Sequence, residues 1–367
     1  MAGLRVSLWI IAAVFTVLTA ACTPSQSGGS KGSYNADSAG KNHSDAKEEK
    51  IIPVKDRYFD AAAGWLDNET ILYTATDPVA GSEVKSYDIF TGTKKTIYKT
   101  DERLITAELN RKKDMILIQT AGDGSEFKLT LMNVRGEKLF TKGFNTNELQ
   151  VDWNEFDPYL LYVTAFTKDW NYHSYLINSK EQTTEQNIAQ AAFVHWTSPD
   201  SFDYVKWDNR DREKPAPVYS YDISAGRQTK LADDALLSDV FDNVRLVVTS
   251  SGKNGYGTYI FSDVKSSEKR LSVTLPLFSD DTGQSPMEYG YDQKNEWFYT
   301  YQPGASSSLC DLIAISLKTG ERRVIQKSVE MLPITVSPDG QYLLYGYAHD
   351  EIISLGSKTI EPLVVKE

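Results

Sequence analysis

A short phrase, one hydrophobic residue followed by polar positions, recurs along residues 51–367 at a nearly constant interval. In each copy an aromatic or large apolar residue precedes a polar turn, and the turn leads into a run of apolar residues. The copies begin at Trp65, Leu109, Trp153, Trp196, Phe241, Tyr291 and Val336. The steps between them are 44, 44, 43, 45, 50 and 45 residues. Such a period, with room for four short strands in each unit, is typical of a β-propeller.

The intervals between the phrases contain alternating patterns that predict further strands. In the first repeat these cover 70–74, 84–89 and 95–98, with turns between them. No stretch of eleven or more residues after residue 50 combines a helical apolar period with capping residues. We therefore predict an all-β fold, a single propeller of seven blades with four antiparallel strands each. Six blades is the alternative, since ring closure could merge the first and last units.

Stacking of the units explains why they would close into a ring. A four-stranded unit has two apolar faces that it cannot cover alone, so neighbouring units bury them against each other. Aromatic residues make up 11% of the chain, and we expect Trp65, Trp153 and Trp196 to fill the wedge-shaped contacts. Six polar residues are expected to bond to the backbone of their own turns instead of to a ligand. They are Asp67, Asn110, Asn154, Asp242, Asp292 and Asp339.

The N-terminus contains a targeting signal. A short basic start is followed by an apolar stretch over 6–18 and then by Thr19-Ala20-Ala21-Cys22. The apolar stretch is too short for a membrane-spanning helix and is typical of a secretory signal peptide. Small residues directly before a cysteine resemble the lipobox of bacterial lipoproteins, although Thr19 stands where that motif usually has leucine.

The lipobox resemblance implies a membrane anchor. It implies cleavage after residue 21 and a diacylglyceryl group on Cys22, and two acyl chains are enough for stable attachment to a bilayer. The expected location is the outer face of the cytoplasmic membrane. The alternative is an ordinary signal peptide followed by an incidental cysteine. The predicted organisation is a signal peptide over 1–21, the lipidated Cys22 and a disordered tether over 22–50, and the propeller over 51–367.

Composition supports the tether and limits the partners. Residues 23–50 are rich in Ser, Gly, Asn, Asp and Lys and cannot bury enough apolar surface to fold alone. The formal net charge of −11 disfavours nucleic acid as a partner. The two cysteines, Cys22 and Cys310, are too few and too far apart for a disulfide framework or a metal-binding motif.

One repeat carries a recognisable motif. Ser337-Pro338-Asp339-Gly340 and the apolar run after it resemble the repeat of TolB-like and WD40-like propellers, and 197–200 is a partial second copy. Together with the lipobox and the tether, the chain resembles a family of uncharacterised Gram-positive lipoproteins with a propeller domain. The resemblance covers the full length and contains no catalytic motif. What it implies is a fold and a location, not an activity.

Three loops are candidates for binding. They lie on the propeller face formed by the loops between the second and third strands and by the connections between blades. The candidate residues in them are Trp170, Trp207, Asp208, Arg210, Asp280 and Asp281. Exposed aromatic residues beside mixed charges are typical of binding hot spots. The alternative is that both tryptophans pack on blade edges and that the charges are solvated.

The sequence contains no sign of catalysis. The four histidines show no zinc-binding spacing, and no nucleophile elbow or phosphate-binding loop is present. We therefore predict no catalytic residue, no metal and no cofactor. The leading hypothesis is an anchored lipoprotein whose propeller is a binding or scaffold module for a protein partner or an envelope polymer. The alternative is a propeller hydrolase or lyase that uses the central channel.

Overall fold

A computed structural model describes residues 50–122, 126–189, 191–207, 214–280, 283–305 and 308–365, without the side chain of Asp280. Every regular secondary-structure element within these ranges is a β-strand. The predicted signal peptide and all of the predicted tether except Lys50 lie outside the described residues. Nothing in the described part of the chain forms a helix long and apolar enough to cross a lipid bilayer.

Thirty strands are present in the described residues. In chain order they are β1 (Val54–Lys55), β2 (Phe59–Trp65), β3 (Thr70–Asp77), β4 (Gly81–Asp88), β5 (Lys94–Thr100), β6 (Arg103–Leu109), β7 (Met115–Ala121), β8 (Glu126–Asn133), β9 (Lys138–Asn145), β10 (Glu148–Trp153), β11 (Leu160–Phe166), β12 (Tyr172–Asn178), β13 (Thr183–Gln186), β14 (His195–Ser198), β15 (Ser201–Val205), β16 (Ala216–Asp222), β17 (Arg227–Phe241), β18 (Val244–Ser250), β19 (Tyr256–Asp263), β20 (Lys269–Asp280), β21 (Gly283–Pro286), β22 (Tyr289–Asp292), β23 (Trp297–Pro303), β24 (Cys310–Ser316), β25 (Arg322–Val329), β26 (Ile334–Val336), β27 (Tyr342–Tyr345), β28 (Glu351–Ser354), β29 (Ile360–Pro362) and β30 (Val364–Val365).

Successive strands form antiparallel sheets of four. Blade 1 contains β2–β5, blade 2 contains β6–β9, and blade 3 contains β10–β13. Blade 4 contains β14–β16 and the first part of β17, and blade 5 contains the rest of β17 with β18–β20. Blade 6 contains β22–β25, and blade 7 contains β26–β29. The described residues therefore form seven four-stranded units, as the repeat pattern predicts.

Blades 4 and 5 share a strand. The first part of β17 pairs with β16, and from Ala235 onward the same strand pairs with β18 without an intervening turn. The result is one hydrogen-bonded sheet of eight strands, which also includes β21. β21 pairs with the end of β20, from Leu277 opposite Pro286 to Asp280 opposite Gly283. This added hairpin lies within the one interval of 50 residues in the repeat.

The hydrophobic core lies between the blades. Seven clusters of buried side chains are present in the described residues, and each joins two neighbouring blades. The cluster between blades 7 and 1 contains Trp65 and Tyr73 from blade 1 together with Leu344 and Ile352 from blade 7. Because this last contact joins the final blade to the first, the ring is closed.

The contact between blades 7 and 1, which we call the closure seam, also contains polar bonds. The indole Nε1 of Trp65 donates to the carbonyl of Thr335 at 3.2 Å, and the amide of Ala62 donates to Ala348 at 2.9 Å. Nδ1 of His349 lies 3.2 Å from the carbonyl oxygen of Ala62. A carbonyl can only accept, so Nδ1 carries the proton. Burial lowers the pKa of His349 below its ordinary value, and the imidazole is therefore neutral near pH 7.

Candidate functional site: the inner-turn mouth of the channel

The central channel is lined by the first strand of each blade. At one end it is surrounded by the turns that join the first strand to the second, and we call this end the inner-turn mouth. Two cavities of about 480 and 860 Å³ open there. Both volumes lie within the range of small-molecule sites. The loops in which the sequence predicts binding lie at the opposite mouth, whereas both cavities open at the inner-turn mouth.

An ion pair crosses this mouth where the two cavities meet. The guanidinium of Arg111, in the turn after β6 of blade 2, donates to the carboxylate of Asp242, in the turn after β17 of blade 5. Both residues line both cavities. The smaller cavity extends along blades 2 to 6, and the larger one extends towards blades 7 and 1. We call this pair the mouth bridge.

The turns around the mouth are held by their own polar side chains. Oδ1 of Asp67 accepts the amides of Glu69 and Thr70 at 2.9 and 2.7 Å. Oδ1 of Asn154 accepts the amide of Phe156 at 2.8 Å. Asn110, Asp292 and Asp339 make similar bonds. This confirms the predicted turn bonds for five of the six residues. Asp242 differs, because its carboxylate pairs with Arg111 on another blade.

The smaller cavity has one strongly polar wall, which we call the acidic wall. It consists of Glu108 on β6, Asp152 on β10, His195 on β14 and Asp239 on β17. These are neighbouring blades, 2 to 5, so the four side chains come from four successive first strands. Trp196 helps to fix the wall, because its indole Nε1 donates to the carbonyl of Asp152 at 2.9 Å.

A chain of hydrogen bonds runs through the acidic wall. Nδ1 of His195 lies 3.1 Å from Oδ1 of Asp239, and the hydroxyl of Tyr289 donates to Oδ2 of the same carboxylate at 2.8 Å. Burial alone would lower the pKa of His195, but the carboxylate of Asp239, with two further acids nearby, raises it to about 9. The imidazole is therefore charged near pH 7. It holds the pKa of Asp239 below the ordinary value despite burial.

The two other acids of the wall, Glu108 and Asp152, form no ion pair with the described residues. Glu108 faces the channel with an exposed side chain, and the protein around the channel raises the pKa of its carboxyl group to about 7 by partial desolvation. Burial also raises the pKa of Asp152 to about 7, although His195 acts in the opposite direction. Oδ2 of Asp152 is buried and has no hydrogen-bond partner among the described residues. Near neutral pH both carboxyl groups are therefore close to their titration midpoints.

A buried ion pair lies behind the wall. Asp203 on β15 is directly opposite His195 in the strand register, and its carboxylate accepts Nε of Arg245 on β18. The side chains are 0% and 8% exposed. The pair joins blades 4 and 5, and the Asp203 carboxylate is one of the charges that raise the pKa of His195.

The structure brings two of the sequence-predicted binding residues together at the opposite mouth. Trp170 and Trp207 are half-buried and are joined through two phenylalanines. The ring of Phe166 packs against Trp170 at 5.9 Å and against Phe193 at 5.8 Å, and Phe193 packs against Trp207 at 6.3 Å. Trp207 also packs on the cluster between blades 4 and 5. This packing accounts for both tryptophans, and their role in binding stays a prediction.

The other predicted residues cannot be compared with the structure. Cys22, Asp208, Arg210 and Asp281 lie outside the described residues, and so does the side chain of Asp280 at the end of β20. Within the ranges that are described, no three His, Cys, Asp or Glu side chains are placed to hold a metal ion.

Sequence reasoning missed the acidic wall, although a signal was present. The residue directly before the repeat phrase is Glu108, Asp152 and His195 in blades 2 to 4. In blades 1, 6 and 7 the same position holds only small residues, namely Gly64, Gly290 and Thr335. Because this position lies in the first strand, its charge pattern could have located the polar side of the channel.

These features define a β-propeller whose polar groups converge in the axial channel. The chain belongs to the YqgU-like 6-bladed β-propeller domain family, which matches residues 88–346. The matched range begins at the end of β4 and stops just after β27. It therefore leaves out most of blade 1 and half of blade 7. The described residues form seven units, one more than the description of the family gives.

Individual relatives agree with this assignment. An uncharacterised lipoprotein of Bacillus subtilis strain 168, YqgU, is 36% identical over 366 residues, which is 99% of this chain and 98% of that protein. A crystal structure of an uncharacterised protein from Listeria monocytogenes EGD-e has a TM-score of 0.79 at 17% identity, covering 87% of this chain and 98% of that one. The propeller domain of the Trilobed protease from Pyrococcus furiosus has a TM-score of 0.57 at 12% identity, covering 84% and 99%. The two structures support the fold alone.

Proposed function

We propose that this protein is an extracytoplasmic lipoprotein, anchored through Cys22 in the outer face of the cytoplasmic membrane, whose propeller binds a protein partner or an envelope polymer. The lipobox-like sequence 19–22 supports the anchor. So does the relative of almost equal length that is named as a lipoprotein. The anchor restricts the partners to molecules at the membrane surface or in the adjoining envelope.

The observation that carries the binding role is the pair of cavities at the inner-turn mouth. Together they place side chains from several blades around one opening. Charged groups, aromatic rings and backbone turns all face this opening, which is the composition of a recognition site and not of a packed core. A ligand bound there would contact several blades at once and would gain affinity from a preformed site.

The anchor is tested by replacing its cysteine. Cys22→Ser should abolish incorporation of labelled fatty acid and release the protein from the membrane, because the serine hydroxyl cannot form the thioether. Cys310→Ser is the matched control, since Cys310 lies in β24 and is the other cysteine of the chain. Equal labelling of both variants in the bacterial membrane fraction would contradict the anchor.

The binding face is tested by photo-cross-linking in cells. A photoreactive p-benzoylphenylalanine replaces Gln293, which is exposed and lines both cavities, Lys168, which lies beside Trp170 at the opposite mouth, or Lys230, which lies on the outer strand of blade 4. We expect one defined adduct from position 293 and none from 230. An adduct from position 168 alone would transfer the site to the mouth that contains Trp170 and Trp207.

A further inference from the structure

The charges that line the smaller cavity do not balance. The carboxyl groups are those of Glu108, Asp152, Glu155, Asp239 and Asp242, and the basic groups are those of Arg111, Lys113 and His195. Arg111 is already paired with Asp242, and His195 is paired with Asp239. Lys113 and Glu155 interact with each other in the turns. The carboxyl groups of Glu108 and Asp152 are left over.

These two acids are oriented for a ligand that donates hydrogen bonds. Within the described residues, Glu108 makes no ion pair, and Oδ2 of Asp152 is buried without a donor. A buried acceptor without a partner is costly, because it has lost its water and gained nothing in exchange. The two groups are close enough that the charge of Glu108 raises the pKa of Asp152. One positively charged group placed between them would relieve both.

The size and walls of the cavity indicate an organic cation. About 480 Å³ is far more than a bare ion needs and is in the range of small ligands. The rings of Phe241 and Tyr291 also line the cavity and stack at 5.2 Å. Aromatic faces attract ammonium groups within about 6 Å, so the rings and the carboxyl groups favour the same kind of ligand.

We propose that this cavity binds an organic ligand through a primary ammonium group, which is received by the carboxyl groups of Glu108 and Asp152. The inference rests on the proposed function and deepens it, since it names the chemistry of the envelope component that would enter the channel. An amino sugar and a diamino acid side chain both present this group. Of the other ionised groups around the site, Arg111 and Asp242 form one ion pair and His195 and Asp239 form another.

The proposal gives a pH dependence that a purely structural role of these acids does not give. The ammonium group of a lysine-type side chain stays charged below about pH 10, whereas Glu108 and Asp152 lose their protons near pH 7. The groups that face them are His195 and Asp239 in the wall, with Glu155 and Lys113 at the turns. His195 stays charged up to about pH 9. Binding should therefore strengthen between pH 6 and 8.

The test uses the full chain in detergent micelles and a defined probe. Nα-acetyl-lysine amide is titrated by calorimetry, with Nα-acetyl-norleucine amide as the neutral analogue of similar shape. We expect saturable binding of the lysine derivative alone, weakened by salt. Glucosamine and N-acetylglucosamine form the second pair, and comparison of the two pairs tells an amino sugar from an amino acid side chain. Equal binding within both pairs, or none at all, overturns the proposal.

Isosteric variants test the two acids. Glu108→Gln and Asp152→Asn remove the charge and keep the shape, and each should weaken ammonium binding by about 10-fold or more and flatten its pH dependence. Glu148→Gln is the control, because Glu148 lies four positions from Asp152 on the same strand and outside both cavities. Unfolding curves of all three variants show whether each one folds. If folded Glu108→Gln and Asp152→Asn bind like the control, the site is wrong.

Failure of the ammonium site can be distinguished from failure of the proposed function. An adduct from the photoreactive residue at position 293 without any ammonium binding would leave a binding face and remove the ammonium site. Ammonium binding that survives both isosteric variants would also remove the site, even if the adduct is present. Loss of the adduct with ammonium binding intact would instead remove the proposed partner and keep the site.

Discussion

Two histidines on opposite sides of the ring have opposite charge states. His195 in the acidic wall has a pKa raised to about 9, and His349 in the closure seam has a pKa below its ordinary value. Both are surrounded by protein, so burial acts against the charged form in each case. The difference comes from their partners. Asp239 offers a carboxylate to His195, whereas the hydrogen-bond partners of His349, Ala62 and Thr335, are neutral and the charge of Asp350 does not offset burial.

The comparison shows that one repeating scaffold uses charged contacts in its channel and neutral contacts where the ring closes. Blades 2 to 5 place charged side chains on the channel, and their charges are stabilised by one another. The bonds of Trp65, Ala62 and His349 across the closure seam are neutral and are surrounded by apolar packing, although blade 1 also contains the buried ion pair of Lys85 with Asp56. The strand position directly before the repeat phrase therefore carries an ionisable side chain in blades 2 to 4 and only small residues in blades 1, 6 and 7.

The largest effect is expected from the ion pair behind the acidic wall. Arg245→Ala leaves the carboxylate of Asp203, which is 0% exposed, without its partner. The free energy of unfolding should fall by about 3–5 kcal/mol, measured by urea denaturation. Arg323→Ala is the control, because its pair with Glu321 is 57% and 50% exposed and should cost about 0–1 kcal/mol. Similar losses in both variants would contradict the prediction that the buried pair stabilises the fold more than the exposed pair.

A moderate effect is expected from the charged histidine. His195→Gln removes the ion pair with Asp239 and should cost about 1–2 kcal/mol at pH 7, since the imidazole keeps some contact with solvent. The folded pKa is about 9 and the ordinary value is 6.5. The stabilisation is therefore complete below pH 6.5 and is lost as pH rises towards 9. Urea denaturation at pH 6, 7.5 and 9 should show the difference between wild type and variant shrinking with pH, and a constant difference would contradict the assignment.

The neutral histidine should show the reverse pH dependence. Because the folded pKa of His349 lies below 6.5, wild type should lose stability as pH falls through and below 6.5. His349→Asn cannot titrate, and its side-chain amide can still donate to Ala62. Asparagine also tolerates the positive φ of 49° at this position. We expect the free energies of unfolding of variant and wild type, measured by urea denaturation, to agree at pH 8 within about 1 kcal/mol. At pH 5 the variant should be the more stable.

The smallest effect on stability is expected at the mouth bridge. Arg111→Ala should change the free energy of unfolding by less than about 1 kcal/mol, because the two side chains of the pair are 29% and 30% exposed. It should join the two cavities and raise the oxidation of Phe241 in hydroxyl-radical footprinting. Lys230→Ala, which removes an exposed cation from the outer strand of blade 4, is the control. Unchanged oxidation of Phe241 would show that the bridge does not restrict access.

Much of the fold follows from the spacing of single residues. The phrase that begins at Trp65 marks the end of a first strand, and the predicted strand over 84–89 lies close to the observed β4. The continuous strand β17 could not be predicted, because Asp233 and Asp234 interrupt the apolar alternation in its middle. The structure accommodates them at a register shift near Ala235. A local pattern therefore locates blades well and their shared edges poorly.

The site could be predicted only in part. Glu108, Asp152 and His195 are 44 and 43 residues apart, and only the stacking of blades 2 to 4 places them in one cavity. Their residue types were visible in the sequence, but their charge states depend on burial and on partners from other repeats. The aromatic candidates in the loops could be recognised from the sequence because they stand in polar surroundings. Trp170 and Trp207 interrupt polar segments. Their packing partners Phe166 and Phe193 are near in sequence, and only the contact between these two phenylalanines, 27 residues apart, depends on the fold.

The shared strand β17 has a consequence for how such rings diversify. Where a turn separates two blades, a duplication or deletion can add or remove one whole unit by cutting only a connecting segment. Between blades 4 and 5 the same event would have to sever a hydrogen-bonded strand and expose the hydrophobic cluster beside it. We therefore expect blades 4 and 5 to be gained or lost together, and variation in unit number among related proteins to occur at the other boundaries of the ring.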